Sequence, residues 1–500
     1  MIGPAGPTGP TGLRASLRAA SDLVSEPCSA LDRLAAEHGR TFEIRVGPQR
    51  LLVVGDADLV AEIVPAVDRF RWRTALRNLK IITGPTSLLV SDGDEHRRRR
   101  RQAQPAFALR RLESWRPLVV RETDAVIDGL PRAGAQNPDG LPRAGAQNPD
   151  GLPRAGAQNP DSLPRAGAQN PDSLPPTGAQ NPDGPAAGDP VDLHPVLRVL
   201  VLRIVARVLF GSDLASHADA IAEALGPGLA YATRPMLRQL PHPFPVGGRH
   251  AARRARAATD VLIDREIARR RAAGDVGSGD DILDAVLAEG TDSDREVRDL
   301  VVSLIGAGTD TTSVGLSWTL VRSLLTPGVW ERLRAEADAG VPGLPYAEAV
   351  VREMLRLHPP GPISPRYAVE RFRVGTYEVR PRAFVIWSAY LMGRDPKYWD
   401  DPLAFRPERF LDAAGRTIDR DAVTNLAYLP FGAGPRKCIG FALAQMELVT
   451  IVSRLAQRLD LTPAFTTPPA PEGVVTSRPV GGVPVVIHAV HHPADVAATG

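Results

Sequence analysis

The sequence predicts a mainly helical fold with a small β region, and three features of the hydrophobic pattern support this prediction. Residues 300–325 form an apolar run long enough for a buried helix. Residues 441–459 repeat apolar positions at helical spacing. Between them, from Ile363 to Ile386, the pattern changes to short segments separated by turns, which indicates strands.

The N-terminal part of the chain is predicted to form a helix, a β-hairpin and a second helix. Residues 29–38 are predicted to be helical, and Phe42–Val46 alternates like a strand. A turn at Gly47-Pro48-Gln49 leads into a returning strand, Leu51–Val54. Asp56 is expected to cap a short helix that ends near Pro65.

The middle and the end of the chain are predominantly helical. A capping box of Ser293 and Glu296 opens the long apolar helix, which stops at Thr326-Pro327. Residues 395–435 are predicted to be mostly irregular, and a strand pair is expected near 474–487. The further predicted helices are 117–130, with proline in its first turn, 192–211, 213–232, 249–274, 329–339 and 346–357.

Composition excludes several classes of protein. The formal charge of the 500 residues is only +3, which gives no general reason to expect nucleic acid. Two cysteines cannot form a disulfide framework, and a free thiolate indicates a reducing compartment. Residues 1–12 lack a basic start and an apolar core, so they do not form a signal peptide. Asp310 near the centre of the apolar run argues against a membrane anchor, and we expect a cytoplasmic protein.

An eleven-residue unit recurs in five copies between Gly129 and Asp183. Each copy carries two or three prolines, glycine and only one large apolar residue, so it cannot bury enough surface to offset its ordering entropy. We expect residues 129–188 to be a disordered insertion between two helices, without a catalytic part.

Cys438 lies in the segment Phe431-Gly-Ala-Gly-Pro-Arg436-Lys437-Cys438-Ile-Gly440. The glycines allow a tight turn and the close approach of a flat group. The adjacent cations and the helix that follows favour a thiolate, which is either a nucleophile or a metal ligand. A nucleophile would need a base such as His358 or His96. Zinc is disfavoured because no tetrahedral ligand set is present, whereas one thiolate is enough as the proximal ligand of a haem iron.

This segment resembles the haem-binding loop of the cytochrome P-450 superfamily of haem-thiolate monooxygenases. All six specified positions of the pattern Phe-Gly-x-Gly-x-Arg-x-Cys-x-Gly are filled, from Phe431 to Gly440. The resemblance implies the mainly helical P-450 fold and a haem b cofactor whose iron is bound by Cys438. It also implies a reaction in which O2 is activated and one oxygen atom enters an apolar organic substrate, by hydroxylation or epoxidation.

The family holds the haem propionates with a His-x-x-x-Arg pair, and His96 and Arg100 match that pair here. On a helix the two residues share one face. The register within the run Arg97–Arg101 stays ambiguous by one or two residues. The remaining arginines would lie near the proximal side of the haem, where they could dock an acidic electron donor.

The segment Ala307-Gly308-Thr309-Asp310-Thr311-Thr312 resembles the oxygen-activation motif of the family. Small Ala307 and Gly308 leave room beside the helix, while Asp310 and Thr311 offer an acid and an alcohol. Cleaving an O–O bond requires protons, which a hydroxyl fed by a carboxylate can supply. A polar break in a core helix is the structural alternative.

Glu353 and Arg356 form the Glu-x-x-Arg pair of the family, and 402–410, with Arg409, resembles the segment that joins it. We expect a buried charge network that sets the cysteine loop. Gly393 departs from the family, many members of which carry histidine at this position.

Arg366 and Arg436 are the further candidates for binding the propionates, because guanidinium groups match carboxylates. Ile363, Ala307 and the turn at 474–475 are expected to line the pocket, which loops at 70–90 and a helix pair would cover.

The expected organisation is a tail at 1–28, one P-450 domain at 29–490 interrupted by residues 129–188, and a tail at 491–500. The protein is expected to be a monomer of bacterial origin. Electrons would come from a ferredoxin or flavodoxin with its NAD(P)H reductase, because no flavin or iron–sulfur domain is evident. A haem-thiolate peroxygenase or isomerase and a haem-based sensor or carrier are the alternatives. Asp310 and Thr311 argue against the first, and turnover of NAD(P)H would exclude the second. The substrate stays open among lipids, terpenoids and polyketides.

Overall fold

The computed structural model describes residues 8–130, 189–211, 231, 248–274, 276–277, 279–290, 293–418 and 426–491. Most of the predicted helix at 213–232 and of the segment 233–248, nearly all of the repeat insertion and all but the first residue of the C-terminal tail lie outside these residues.

Helices make up most of the described chain, in agreement with the fold class predicted from the sequence. They are α1 (Leu13–Ser25), α2 (Pro27–His38), α3 (Ala57–Ile63), α4 (Trp72–Ala75), α5 (Lys80–Thr83), α6 (Gly93–Ala103), α7 (Leu109–Asp128), α8 (Leu193–Phe210), α9 (Gly248–Ala273), α10 (Ile282–Ala288), α11 (Asp294–Leu325), α12 (Val329–Asp338), α13 (Pro345–Leu357), α14 (Ala389–Met392) and α15 (Phe441–Arg458).

The strands form small sheets at the edge of the helical body. They are β1 (Thr41–Val46), β2 (Gln49–Val54), β3 (Phe70–Arg71), β4 (Val191–Asp192), β5 (Ser364–Ala368), β6 (Phe372–Val374), β7 (Tyr377–Val379), β8 (Phe384–Trp387), β9 (Leu459–Pro463), β10 (Pro471–Glu472), β11 (Arg478–Pro479) and β12 (Pro484–Val490).

The largest sheet has the order β1-β2-β8-β5-β3, and a second has the order β4-β12-β9. The predicted hairpin of β1 and β2 is antiparallel, with Thr41 opposite Val54. β2 and β8 are parallel. β5 therefore stands one strand from the hairpin, and its first residues reach the cavity described below.

The long helix α11 runs through the core, as its apolar sequence predicts. Trp318, Leu320 and Val321 are fully buried. The Ser293 side chain accepts a hydrogen bond from the Glu296 N–H, which confirms the predicted cap. The Glu296 carboxylate does not complete the capping box, because it pairs with Arg98 and Arg99 of α6 instead. No helix within the described residues is long and apolar enough to cross a membrane.

Two predicted boundaries were wrong. The supposed tail at 1–28 contains α1, whose Ala19 and Leu23 are buried against α2 and the hairpin. Ahead of α1, the Thr8 carbonyl accepts a hydrogen bond from the Glu43 N–H of edge strand β1 at 3.0 Å. Helix α7 begins at Leu109 and carries Pro117 in its interior, not in its first turn.

Candidate functional site

The cysteine loop folds back on itself before α15 begins. The Cys438 N–H donates a hydrogen bond to the Phe431 carbonyl at 2.8 Å. Gly432 and Gly434 have φ angles of +68° and +63°, which other residues rarely adopt. At Gly434 a Cβ atom would also approach the Val64 side chain to 2.9 Å, so both space and conformation require glycine there.

A cavity of about 450 Å³ separates this loop from α11. That volume is within the usual range for small-molecule and cofactor sites. The Cys438 side chain lies on one side, and Ala307, Gly308 and Thr311 lie on the other. Much of the remaining wall is apolar and includes Leu76, Leu88, Leu89, Val205, Val208, Leu209, Leu300, Leu304 and Ile363. The exposed turn at 474–475 is not among the lining residues that the described chain provides, contrary to prediction.

The Cys438 thiol is accessible from the cavity, yet many protein atoms surround it. Burial raises its pKa, and the Gly440 backbone N–H, Arg100 and Lys437 oppose this only in part. The neighbouring cations therefore do not produce a thiolate by themselves, in contrast to the sequence-based expectation. A thiol that coordinates a metal is deprotonated outright, which fits a metal-ligand function better than that of a free nucleophile.

Cationic side chains converge on one end of the cavity. Arg100 of α6 donates to the Lys437 carbonyl at 2.7 Å and so ties α6 to the cysteine loop. Arg436 donates to the Ser91 carbonyl at 2.7 Å and lies 4.0 Å from the centre of the Trp72 ring. His96 is buried on the same helix face as Arg100, the register that the sequence predicted.

Arg366 is the least compensated of these cations. Its guanidinium lies 5–6 Å from the rings of Phe70, Trp72 and Trp387, and no carboxylate of the described chain pairs with it. Its Nε has no hydrogen-bond partner among the described residues. Burial, together with Arg436, lowers the pKa of Arg366 to about 9. A buried cation without an anion is costly, so the site is suited to a ligand that carries carboxylates.

His96 is held neutral in this surrounding. Burial first, and then Arg436, Arg100 and Arg97, lower the pKa of His96 to about 3. A neutral imidazole can donate one hydrogen bond to an anionic group without adding charge.

The remaining arginines of the run after His96 mostly have acidic partners. Arg97 pairs with Asp94, and both Arg98 and Arg99 pair with Glu296. Arg97 and Arg101 are both exposed. Of the two, Arg101 makes no ion pair with the described part of the chain. The surface that could meet an acidic donor is therefore smaller than the sequence suggested.

The polar residues of α11 divide between two sides of the helix. Thr311 faces the cavity, and its hydroxyl donates to the Ala307 carbonyl at 2.6 Å. Asp310 does not line the cavity, because its carboxylate is directed towards α8 and pairs with Arg198 at 3.2 Å. A Cβ at Gly308 would approach Val205 of α8 to 3.3 Å, so this glycine also serves the packing of α8 against α11.

Sequence reasoning missed Glu447 of α15 as a site residue. This carboxyl is fully buried, lines the cavity and lies near Thr312 of α11. Burial raises the pKa of Glu447 to about 8, and the Thr312 hydroxyl opposes this only in part. The Thr312 hydroxyl is close enough to affect this carboxyl, but neither it nor the Glu447 Oε1 makes a hydrogen bond of regular geometry within the described chain. The sequence does contain one indication of this residue, because Glu447 is a single acidic residue among the apolar positions of α15.

Behind the cysteine loop lies the predicted charge network. Glu353 receives both 2.7 Å hydrogen bonds of the Arg356 fork, and the Arg409 Nε approaches it at 3.3 Å. Arg356 also donates to the carbonyls of Gly393, Pro402 and Ala404, which fixes the irregular segment. A Cβ at residue 393 would lie 2.1 Å from the Arg356 carbonyl oxygen, so the unusual glycine is a steric requirement of this chain.

These residues fit a haem with an axial thiolate. One thiol faces a largely apolar cavity, on the other side of which lie the small residues of α11. Buried cationic side chains that could bind carboxylates line the same cavity. Within the described residues, no group of three or more histidine, cysteine or acidic side chains could hold a metal ion in its place.

Comparison with known proteins agrees with this geometry. The family model described as Cytochrome P450 matches residues 13–141 and 180–482. A "Putative cytochrome P450 139" of Mycobacterium tuberculosis is 31% identical over 407 residues, which is 78% of this chain and 81% of that protein. "Cyclooctatin synthase" of Streptomyces melanosporofaciens is 28% identical over 487 residues, which is 92% of each chain.

Solved structures show the same fold. The retinoic acid-bound cyanobacterial CYP120A1 superposes with a TM-score of 0.72 at 20% identity and covers 94% of this chain and 96% of its own. A zebra fish cytochrome P450 with abiraterone has a TM-score of 0.66 at 22% identity, covering 93% of this chain and 100% of its own.

Proposed function

Because the chain belongs to the cytochrome P450 family of haem-thiolate monooxygenases, we propose that it inserts one oxygen atom from O2 into an apolar organic substrate. The observation that carries this proposal is one cavity in which Cys438 and Thr311 lie on opposite sides of a largely apolar space. The leucines and valines around that space offer few hydrogen bonds, which favours a substrate with little polar surface.

Haem bound in this cavity supplies the capacity to activate O2, and a thiolate ligand favours cleavage of the O–O bond. We assign the Cys438 sulfur as the iron ligand. Phe431 and Gly440 belong to the loop that holds that sulfur. Ala307 leaves room on the opposite face, beside Thr311.

Four side chains are proposed to hold the haem carboxylates. Arg366 supports this assignment most strongly, because it is buried without an anion. Arg436 and Arg100 contribute further guanidinium groups, although each also donates to a backbone carbonyl. His96 would donate one hydrogen bond as a neutral imidazole.

Protons would reach the cavity along α11. The Asp310 carboxylate is the proposed proton carrier, and its partner Arg198 is 38% exposed, so the pair communicates with solvent. The Thr311 hydroxyl would leave the Ala307 carbonyl in order to donate into the cavity. Glu447, with its raised pKa, holds a proton beside Thr312 of α11.

Electrons are proposed to come from a ferredoxin or flavodoxin with an NAD(P)H reductase. Arg101 near the end of α6 and Leu109 and Arg110 at the start of α7 are exposed, and the neighbouring Arg100 and Phe107 contact the Cys438 loop. Such a surface is suited to an acidic donor.

We also propose that the chain is one catalytic domain with residues 129–188 as an insertion. The family model omits 142–179, within the repeat, which supports this organisation.

The function is tested by the absorbance spectrum of the dithionite-reduced protein with carbon monoxide. The wild type should give a strongly red-shifted Soret band, and Cys438→Ser should not. Cys28→Ser is the matched control, since Cys28 is buried away from the cavity and pairs with Ser477. A spectrum typical of histidine ligation in the wild type would overturn the assignment.

A further inference from the structure

Residues 82–90 include one wall of the cavity. Leu88 and Leu89 line the cavity from a single 3₁₀ turn, Leu88–Val90. Ile82 and Val90 are buried and anchor the two ends of the segment, whereas Leu88 is only partly buried and Leu89 is 37% exposed. Between the two anchored ends, polar contacts therefore contribute to holding the wall in place.

Asp299 of α11 makes most of those polar contacts. Its carboxylate, 1% exposed, accepts hydrogen bonds from the Thr86 N–H at 3.0 Å and the Thr86 hydroxyl at 2.6 Å. It also pairs with Arg256 of α9, whose Nη1 donates to the Ile82 carbonyl at 2.5 Å. One buried carboxylate thus joins α11, α9 and the 82–90 segment.

The backbone of the segment is shaped around this carboxylate. Gly84 has a φ angle of +83°, and a Cβ there would lie 2.1 Å from the Asp299 Oδ1. A second contact follows immediately, because the Ser303 and Ser87 hydroxyls are 2.8 Å apart. The segment is therefore hydrogen-bonded to α11 at Thr86 and Ser87, directly before Leu88 and Leu89.

We propose that Asp299 is a positioning residue for substrate selection. It holds the 82–90 segment on α11 and thereby fixes the wall formed by Leu88 and Leu89. Release of Thr86 from Asp299 lets that wall withdraw, so the strength of this contact limits the entry of bulky apolar molecules more than that of small ones. The inference rests on the proposed function only in so far as the cavity receives the substrate.

Amide hydrogen exchange of the 82–90 segment tests the contact without any turnover. Thr86→Val removes the hydroxyl donor and keeps the side-chain shape, and it should speed exchange of these amides about tenfold or more, since a hydrogen bond to a charged group is lost. Thr86→Ser keeps the donor and should restore slow exchange. Asp299→Asn is unsuitable, because it also weakens the pair with Arg256, which would keep only Asp260 as an acidic partner.

Gly84→Ala provides an independent variant, because its Cβ would displace the Asp299 carboxylate. Gly340→Ala is the matched control, with a φ of +61° and open space around the Cβ. Both variants carry backbone strain, but only Gly84→Ala should speed exchange at 82–90.

Entry into the cavity is measured by the absorbance change when imidazole or 4-phenylimidazole binds the haem iron. Thr86→Val and Gly84→Ala should raise the association rate of 4-phenylimidazole severalfold and leave that of imidazole unchanged. Unchanged exchange in both variants, or an equal rise for both ligands, would overturn the proposal. If no haem is retained, the proposed function fails, yet the exchange experiment still decides whether the contact holds the segment.

Discussion

The chemistry of this site depends on single residues. For Arg366, the surrounding side chains indicate the role, which is to bind a carboxylate of a ligand. The Arg366 guanidinium is surrounded by Phe70, Trp72 and Trp387, and no carboxylate of the described chain pairs with it. A ligand that carries carboxylates would offset the free energy of burying this charge. The sequence indicates the arginine, but only the packing of β3, β5 and β8 shows that it has no acidic partner among the described residues.

We expect Arg366→Leu to separate haem retention from protein stability. Haem release should become at least about tenfold faster, because a charge-assisted hydrogen bond to a carboxylate is lost. The haem-free protein should be as stable as the wild type or more stable, because a buried unpaired cation is removed. Haem transfer to apomyoglobin and urea unfolding of the haem-free form measure the two effects. Arg14→Leu, an exposed residue of α1, is the control, and unchanged haem release would contradict the assignment.

Glu447 predicts a distinctive dependence of stability on pH. Its folded pKa of about 8 exceeds the usual value of 4.5, so between these pH values the folded state binds a proton that the unfolded state has lost. The contribution of Glu447 therefore favours folding at low pH and declines as the pH rises from about 4.5 to about 8, by up to about 1.4 kcal/mol per pH unit.

The variant Glu447→Gln should remove this decline and be more stable than the wild type at pH 8. Urea unfolding at pH 5.5 and pH 8 measures the difference in slope. Glu472→Gln, which changes an exposed carboxylate, should leave the slope unchanged. Parallel pH profiles for wild type and Glu447→Gln would show that this carboxyl is not held protonated.

At the scale of elements, the buried pair Glu353–Arg356 fixes an irregular segment that has no regular hydrogen-bond ladder of its own. Both side chains are fully buried, and Arg356 donates to three carbonyls of residues 393–404. Arg356 on the face of α13 thus donates the hydrogen bonds that a neighbouring strand would otherwise donate to these carbonyls.

Replacing Glu353 with glutamine should destabilise the protein by about 3–5 kcal/mol, because Arg356 and Arg409 would keep buried charges without an anion. Glu408→Gln is the matched control. Its partner Arg332 and Glu408 itself are each 54% exposed, so its loss should cost less than about 1 kcal/mol. Urea unfolding of both variants gives the comparison, and equal losses would contradict a special role for Glu353.

The sequence predicted best those elements and sites whose determinants are contiguous. The caps Asp56 and Ser293, the β1–β2 hairpin and the His96–Arg100 face follow from local spacing alone. Helix α1 was missed although its apolar residues follow a helical pattern, and the partners that bury Ala19 and Leu23 lie in α2 and the hairpin. The role of Glu447 depends on the packing of α15 against α11, and the Asp299–Thr86 contact depends on the packing of a turn against α11. The need for Gly393 depends on the backbone of a helix 37 residues earlier. These contacts join residues that are far apart in the sequence, so no local sequence pattern predicts them.

At the scale of the molecule, charge decides which partner can approach the cysteine loop. Of the five arginines of α6, Arg98 and Arg99 pair with Glu296 and Arg97 pairs with Asp94, so the outward positive charge rests on few residues. Arg101 and Arg110 remain exposed.

We expect Arg101→Glu to raise severalfold the concentration of an acidic ferredoxin needed for half-maximal reduction. The effect should shrink at high salt, because exposed charges are screened beyond about 8–10 Å. Stopped-flow reduction of the haem at two salt concentrations measures it. Arg14→Glu makes the same charge change on α1 and should have no effect, whereas equal slowing by both variants would indicate a response to net charge only.

The hydrogen bond between Thr8 and β1 has a consequence for self-association. An uncovered edge strand offers its backbone groups to any other extended chain and so invites aggregation. Here the segment ahead of α1 occupies part of that edge, and the Gly9 backbone approaches it so closely that a Cβ would overlap the Glu43 carbonyl oxygen. A chain shortened to begin at Leu13 would keep every residue of the cavity yet bare this strand, and its first defect would be loss of colloidal stability rather than loss of catalysis.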